Sequence, residues 1–273
     1  MGLTGWLLGK QDKPHTGRRL LFVGHSHLTA LELGLRAIQA RTPEDLGDTE
    51  VRFANLREDA YKLSGFRHGA PETLPSALKS LLTDFKPDRI VLVLQGNEHN
   101  VLALVEHPQP FDFQLPGEPD LPLDESRTLL THAAVEATLF HSLQSSVQPI
   151  MAAILALAKA PVTALETPPP LAGDHIRAHP GVFREKLAER PVAPLTLRYK
   201  MWRVRTRQLH RLCAALGVAV IPVPANVFDE SGLMLKPALH NPDPTHGNAG
   251  YGVLALRTVL RFDREQSAAG NTP

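Results

Sequence analysis

The segment Arg19-Leu20-Leu21-Phe22-Val23-Gly24-His25-Ser26-His27, followed by Leu28-Thr29-Ala30-Leu31, restricts the folding options of this chain more than any other. Leu20 to Val23 is an unbroken apolar run closed by Gly24, the pattern of a strand buried on both faces. From Leu28 the apolar residues Leu28, Leu31, Leu35 and Ile38 recur at helical spacing, so a helix begins within a residue or two of Ser26. A strand that turns sharply into a helix leaves its turn residues at the carboxyl edge of a sheet, where open α/β folds hold their ligands. Ser26 then sits beside a helix amino terminus, whose free N–H groups favour developing negative charge. On this stretch alone Ser26 reads either as a helix cap or as a nucleophile.

The rest of the chain repeats the strand–helix alternation. Strands are expected at Val51-Arg52-Phe53-Ala54, at Arg89 to Leu94, at Pro161 to Glu166 and at Val218 to Pro222. Helices are expected from about Leu28 to Arg41, from Pro71, over Ser126 to Lys159 in two pieces parted near Pro149, from about Leu195 to Leu216, and after Gly247-Asn248. The polar segment Asn55 to Ala70 reads as a loop, and the tail from Asp263 to Pro273 as frayed. Five strands alternating with helices predict an α/β protein, a three-layer α/β/α sandwich around a five-stranded parallel sheet. No repeat or composition break divides the chain, so residues 1–273 read as one domain with a core of about 18–262. Two proline-punctuated stretches, about 106–125 and 168–194, read as inserted loops framing a pocket, the first as a loop or lid.

Composition excludes several classes. With 43% hydrophobic and 21% charged residues the chain is globular, and a net charge of +1 gives no global attraction to nucleic acid or membrane. The one cysteine, Cys213, lies in a helical apolar pattern and reads as a small core residue, which fits a reducing compartment. Met1 to Leu8 lacks the basic region of a signal peptide, and Ile150 to Ala164 is interrupted by Lys159 and Pro161, so no membrane span and a cytoplasmic location are expected. The basic run Arg198 to Arg211 carries a core stripe of Leu197, Met201, Val204, Leu212 and Leu216, which predicts a solvated outer face for its cations rather than an RNA surface.

Acyl transfer needs a nucleophile, a base, a group that orients the base and donors for the oxyanion. The carboxyl-terminal run Asn241-Pro242-Asp243-Pro244-Thr245-His246 supplies an acid and an imidazole three residues apart in a proline-stiffened loop before a helix. That spacing lets Asp243 reach Nδ1–H of His246 and leave Nε2 facing outward. A capping role for either residue is the structural alternative.

Taken together, these stretches resemble the SGNH hydrolases, the GDSL-type esterase and lipase superfamily, at four places in order. Gly24-His25-Ser26 resembles the first block, Leu63-Ser64-Gly65 the second, Leu94-Gln95-Gly96-Asn97-Glu98 the third and Asp243-Pro244-Thr245-His246 the fifth. The resemblance implies a flavodoxin-like SGNH hydrolase fold and a catalytic triad of Ser26, Asp243 and His246. It also implies an oxyanion hole from the Ser26 N–H, the Gly65 N–H and the Asn97 side chain, with Gly69 and Asn100 as the alternative donors. The sequence departs from the family at His25, where an acid is usual, and at Gln95 and Glu98.

The activity implied by the resemblance is that of a serine esterase, which cleaves a carboxylic ester through an acyl-enzyme, with a small-molecule or carbohydrate ester as substrate. A carbohydrate O-acyltransferase using the same triad and a non-catalytic binding module are the alternatives. His25, His27 and His99 are expected to bind substrate oxygens or tune the pocket. They have no acidic or cysteine partner at ligand spacing, so neither a metal nor another cofactor is expected.

Overall fold

The computed structural model describes residues 17–67, 70–94 and 98–270 of the 273-residue chain. In chain order the strands are β1 (Arg19–Gly24), β2 (Glu50–Asn55), β3 (Arg89–Val93), β4 (Phe111–Asp112), β5 (Thr128–Leu129), β6 (Val162–Leu165) and β7 (Ala219–Ile221). The helices are α1 (Leu28–Arg41), α2 (Ser76–Thr83), α3 (Glu98–Ala103), α4 (His132–Ser146), α5 (Gln148–Leu157), α6 (Gly173–Ala178), α7 (Arg184–Glu189), α8 (Leu195–Ala215) and α9 (Ala249–Gly270).

β1, β2, β3, β6 and β7 form one parallel sheet in the order β2-β1-β3-β6-β7. Alternate side chains of a strand point to opposite faces, so each buried strand feeds two cores. Leu21, Val23, Ile90 and Leu92 pack with Leu78 and Leu82 of α2, Ile154 of α5 and Leu209 of α8. Leu20, Phe22, Val91 and Val93 pack on the other face with Leu28 and Leu31 of α1 and Leu256 and Val259 of α9. The result is the expected three-layer α/β/α arrangement. After β1 the chain crosses to β2 on one side and then to β3 on the other, so the carboxyl ends of β1 and β3 form the point where strand order reverses. Gly24 and Val93 are partners there.

Four expectations need correction. The helix expected from Pro71 begins at Ser76, because Pro75 holds Leu74 in extended backbone and only a short 3-10 turn forms over Pro71–Thr73. The tail does not fray at Asp263: α9 continues to Gly270, and the buried Asp263 carboxylate accepts hydrogen bonds from Arg18 and Arg89 at 2.7 Å each. The first insertion is no free lid. Phe113 and Leu115 are fully buried against Leu139, Leu197, Met201 and Val204, and β4 pairs with β5.

The fourth correction concerns the basic run on α8, which is not a solvated face. Arg198, Lys200 and Arg205 are buried. Lys200 Nζ donates to both carboxylate oxygens of Asp112, at 2.8 and 3.0 Å, and to the Pro122 carbonyl at 2.8 Å. Arg203 and Arg207 share Glu118, and Arg205 reaches Glu98 at 3.3 Å. These cations clamp the first insertion and α3 onto the helix. Local periodicity cannot show their neutralisation by neighbouring acids and carbonyls, because the acids lie far away in sequence.

Candidate active site

Ser26 lies in the turn between β1 and α1. The Leu28 N–H donates to the His25 carbonyl at 2.9 Å and the Thr29 N–H to the Ser26 carbonyl at 3.2 Å, which closes the turn into the helix. His25 N–H donates to the Val93 carbonyl at 3.4 Å and so ties the turn to β3. The side chain of Ser26 does not cap α1: the residue before the helix is His27, with helical backbone angles and no side-chain cap. The hydroxyl is left for another partner.

That partner is 220 residues away along the chain, where His246 Nε2 lies 2.8 Å from Ser26 Oγ. On the other side of the ring, His246 Nδ1 lies 2.9 Å from Asp243 Oδ1. A carboxylate at Nδ1 favours the tautomer with its proton there, which leaves Nε2 as an acceptor facing Ser26 Oγ. Asp243 is held by more than the imidazole. Its Oδ1 accepts from the backbone N–H groups of Thr245, at 2.9 Å, and His246, at 2.8 Å, and its Oδ2 from the Asn241 amide at 2.5 Å. Burial opposes its ionisation, but these hydrogen bonds outweigh burial and keep the carboxyl well below the usual carboxylate range. Asp243 is therefore a fixed anion that orients His246.

The three side chains open onto a cavity of about 490 Å³. Thr29 and Leu33 of α1, Val101 of α3, the segment Gly181–Phe183, Asn241 and the segment Asp243–Gly247 contribute to its wall. The second insertion therefore does frame the pocket, whereas the first, expected to do the same, contributes no residue to its wall.

The remaining expected site residues are placed less directly. His27 is buried, its ring 4.6 Å from that of His246, and His99 is buried within electrostatic reach of His27. Neither lines the cavity, nor does the partly buried His25. Burial lowers all three imidazoles below their ordinary value, His99 to about 3, so they are neutral near pH 7. Among the described residues, His27 Nε2 and His99 Nδ1 are buried without a hydrogen-bond partner. Gly65 occupies a turn with φ +76°, where a glycine is favoured, and is not part of the cavity wall. Asn97, Gln95 and the alternative donor Gly69 lie outside the described residues. Asn100 falls on α3. Cys213 is buried in the core, and burial pushes its thiol up to about 12, which leaves it inert.

Two contributors escaped sequence reasoning. Asn241 grips the free oxygen of Asp243, and His175 Nε2 lies 2.7 Å from the Asn241 carbonyl, bracing the same loop from α6. The proximity of Asn241 to Asp243 in sequence was the available signal for the first. Nothing local marked the second. Among the described residues no cluster of three or more histidine, cysteine, aspartate or glutamate side chains has the arrangement of a metal site, and no helix is long and apolar enough to cross a membrane.

No protein-family model matches the chain, and no curated protein matches its sequence. Solved structures do resemble it. An extracellular lipase from Streptomyces rimosus is 15% identical, with a TM-score of 0.48, over 90% of this chain and 99% of its own. A GDSL-like lipase from Bacteroides thetaiotaomicron is 12% identical, with a TM-score of 0.42, over 92% and 89%. An acetylxylan esterase from Geobacillus stearothermophilus is 17% identical, with a TM-score of 0.39, over 90% and 93%. Each of these likenesses extends over about nine-tenths of this chain, at low sequence identity.

Proposed function

We propose that this chain is a serine esterase of SGNH type that hydrolyses a carboxylic ester through an acyl-enzyme. The observation that carries the reading is the continuous path from Ser26 Oγ through His246 to Asp243, with separations of 2.8 and 2.9 Å, at the wall of an open cavity. Ser26 Oγ attacks the ester carbonyl as His246 Nε2 takes its proton. Asp243 stabilises the imidazolium without itself becoming protonated. The tetrahedral intermediate then collapses, and His246 returns the proton to the leaving alcohol. Water, deprotonated by the same imidazole, releases the acid and restores Ser26.

The oxyanion donors in this reading are the Ser26 N–H, the Gly65 N–H and the Asn97 side chain, assigned by resemblance. In support, neither the Ser26 nor the Gly65 N–H makes a hydrogen bond to another described residue. In this reading His27 packs as a neutral group on the His246 ring, and His25 and His99 lie within electrostatic reach of His27 as further neutral rings. A single buried cysteine suits a reducing compartment such as the cytoplasm.

The test is hydrolysis of a short-chain p-nitrophenyl ester by the wild-type chain and by Ser26→Ala, combined with labelling by a serine-directed fluorophosphonate. Turnover and labelling that both vanish in the variant support the reading. A wild-type chain that neither turns over any acyl ester nor takes the label defeats it. Including a sugar as acyl acceptor separates hydrolase from O-acyltransferase by the ratio of free acid to sugar ester.

A further inference from the structure

The wall of the Ser26 cavity carries one cation that no described side chain meets. Among the described residues lining it, the ionisable ones are Arg57, Asp243 and His246. Asp243 is saturated by donors from Asn241, Thr245 and His246, so its charge is already met. Arg57 is different. It lies just beyond the carboxyl end of β2, its side chain is exposed, and its guanidinium makes no hydrogen bond or ion pair to any described residue. Its charge reaches His25, the neighbour of Ser26: burial chiefly lowers that imidazole, Glu98 opposes the shift and Arg57 adds to it. The neighbouring acids Glu58 and Asp59 do not line the cavity. By contrast, the cations of α8 are met by acids or carbonyls: Lys200 by Asp112, Arg203 and Arg207 by Glu118, Arg198 by the Leu171 and Ala193 carbonyls.

The same wall is otherwise apolar at its rim. Leu33, Val101 and Val182 are 37%, 56% and 93% exposed, and they are three of the five exposed large hydrophobic residues among the described ones. Exposed apolar side chains gathered around one opening mark a surface that a ligand covers. A planar guanidinium with five donors matches the two oxygens of a carboxylate or the oxygens of a phosphate.

We infer that Arg57 selects substrate: the ester this site takes carries an anionic oxygen group, carboxylate or phosphate, beside an apolar portion that rests on Leu33, Val101 and Val182. The inference deepens the esterase reading and rests on it for the reaction, but not for the binding.

Two experiments separate the two. The first compares kcat/KM for mono-p-nitrophenyl glutarate, whose acyl end is a carboxylate, with that for neutral p-nitrophenyl butyrate. The wild-type chain should prefer the anionic ester by about tenfold, Arg57→Gln should bring the ratio toward one, Arg57→Glu should invert it, and added salt should shrink it. The second titrates Ser26→Ala with phenylbutyrate, phenethyl phosphate and neutral phenylbutyramide, each by calorimetry, with and without Arg57→Gln. Tighter binding of one or both anions, lost with Arg57, supports the inference and shows which oxygen group is preferred. Neutral and anionic ligands bound alike, or an anion preference that survives Arg57→Gln, overturns it. If no ester is turned over but anions bind through Arg57, the hydrolase reading fails and the anion site stands. If esters are turned over without charge preference, the reverse holds.

Discussion

Gly34 and Gly252 meet backbone to backbone where α1 crosses α9. A Cβ on Gly252 would lie 1.8 Å from the Ala30 carbonyl oxygen, and one on Gly34 would lie 2.4 Å from the carbonyl carbon of Gly252. α1 begins two residues after Ser26 and α9 three residues after His246. The close crossing thus joins the two helices that follow the serine and the imidazole in sequence.

Gly252→Ala should therefore damage stability and activity together. The clash is with backbone, so no rotamer relieves it, and overpacking of this kind costs about 1–3 kcal/mol even after the gain in helix propensity. A shift of the order of 1 Å between Ser26 and His246 lowers kcat by about a hundredfold. Chemical denaturation and ester kinetics on the variant check this. A wild-type kcat at wild-type stability would show that the glycine contact does not set the spacing of the two side chains.

Asp243→Asn keeps the shape of the loop but changes what His246 is offered at Nδ1. With an amide there, the negative charge that favours the Nδ1–H tautomer and stabilises the imidazolium is gone, and kcat should fall by about four orders of magnitude with KM little changed. A fall of less than about tenfold would mean that Asp243 is structural only, holding its loop through the Thr245 and His246 N–H groups.

Lys200 and Asp112 form a buried pair, with side chains 0% and 4% exposed. Lys200→Met leaves the carboxylate buried without its counter-charge and should cost about 3–5 kcal/mol. Adding Asp112→Asn should return much of that loss, because the uncompensated charge is then gone. Urea denaturation of the two single variants and the double gives the coupling directly, and simple additivity would disprove the clamp.

Stability should also depend on pH through His99. Its buried ring stays neutral in the folded protein down to about pH 3, whereas the unfolded chain takes up a proton from about pH 6.5 downward. The unfolded state therefore binds more protons in that window, and falling pH favours it by roughly 1.4 kcal/mol per pH unit, with full stability above about pH 6.5. His27, lowered in the same direction, adds to the slope. His99→Gln should flatten the dependence of the unfolding free energy on pH between about 6.5 and 4 relative to wild type. An unchanged slope would sink the assignment.

The strands and α1 are readable locally because buried parallel strands are continuous apolar runs and a helix repeats every 3.6 residues. The helix that spacing predicts over Leu28–Arg41 forms with those bounds, and the break predicted near Pro149 is where α4 and α5 meet at Val147. The juxtaposition of Ser26 with His246 is legible only as two motifs at opposite ends of the chain. The α8 cations mislead because an arginine meeting Glu118 or a lysine meeting Asp112 is, in local sequence, identical to one facing water.

Near-neighbour spacing and apolar pattern were therefore enough to place the five strands of the main sheet and the long helices α1, α4, α5, α8 and α9, but not the short elements β4, β5, α3, α6 and α7. They were not enough to bring Ser26 within 2.8 Å of His246, to bury three basic residues of α8, or to leave Arg57 unpaired among the described residues at the cavity. Those outcomes arise when the layers pack, through contacts between residues dozens to hundreds of positions apart, and no local pattern encodes which charge will find which partner.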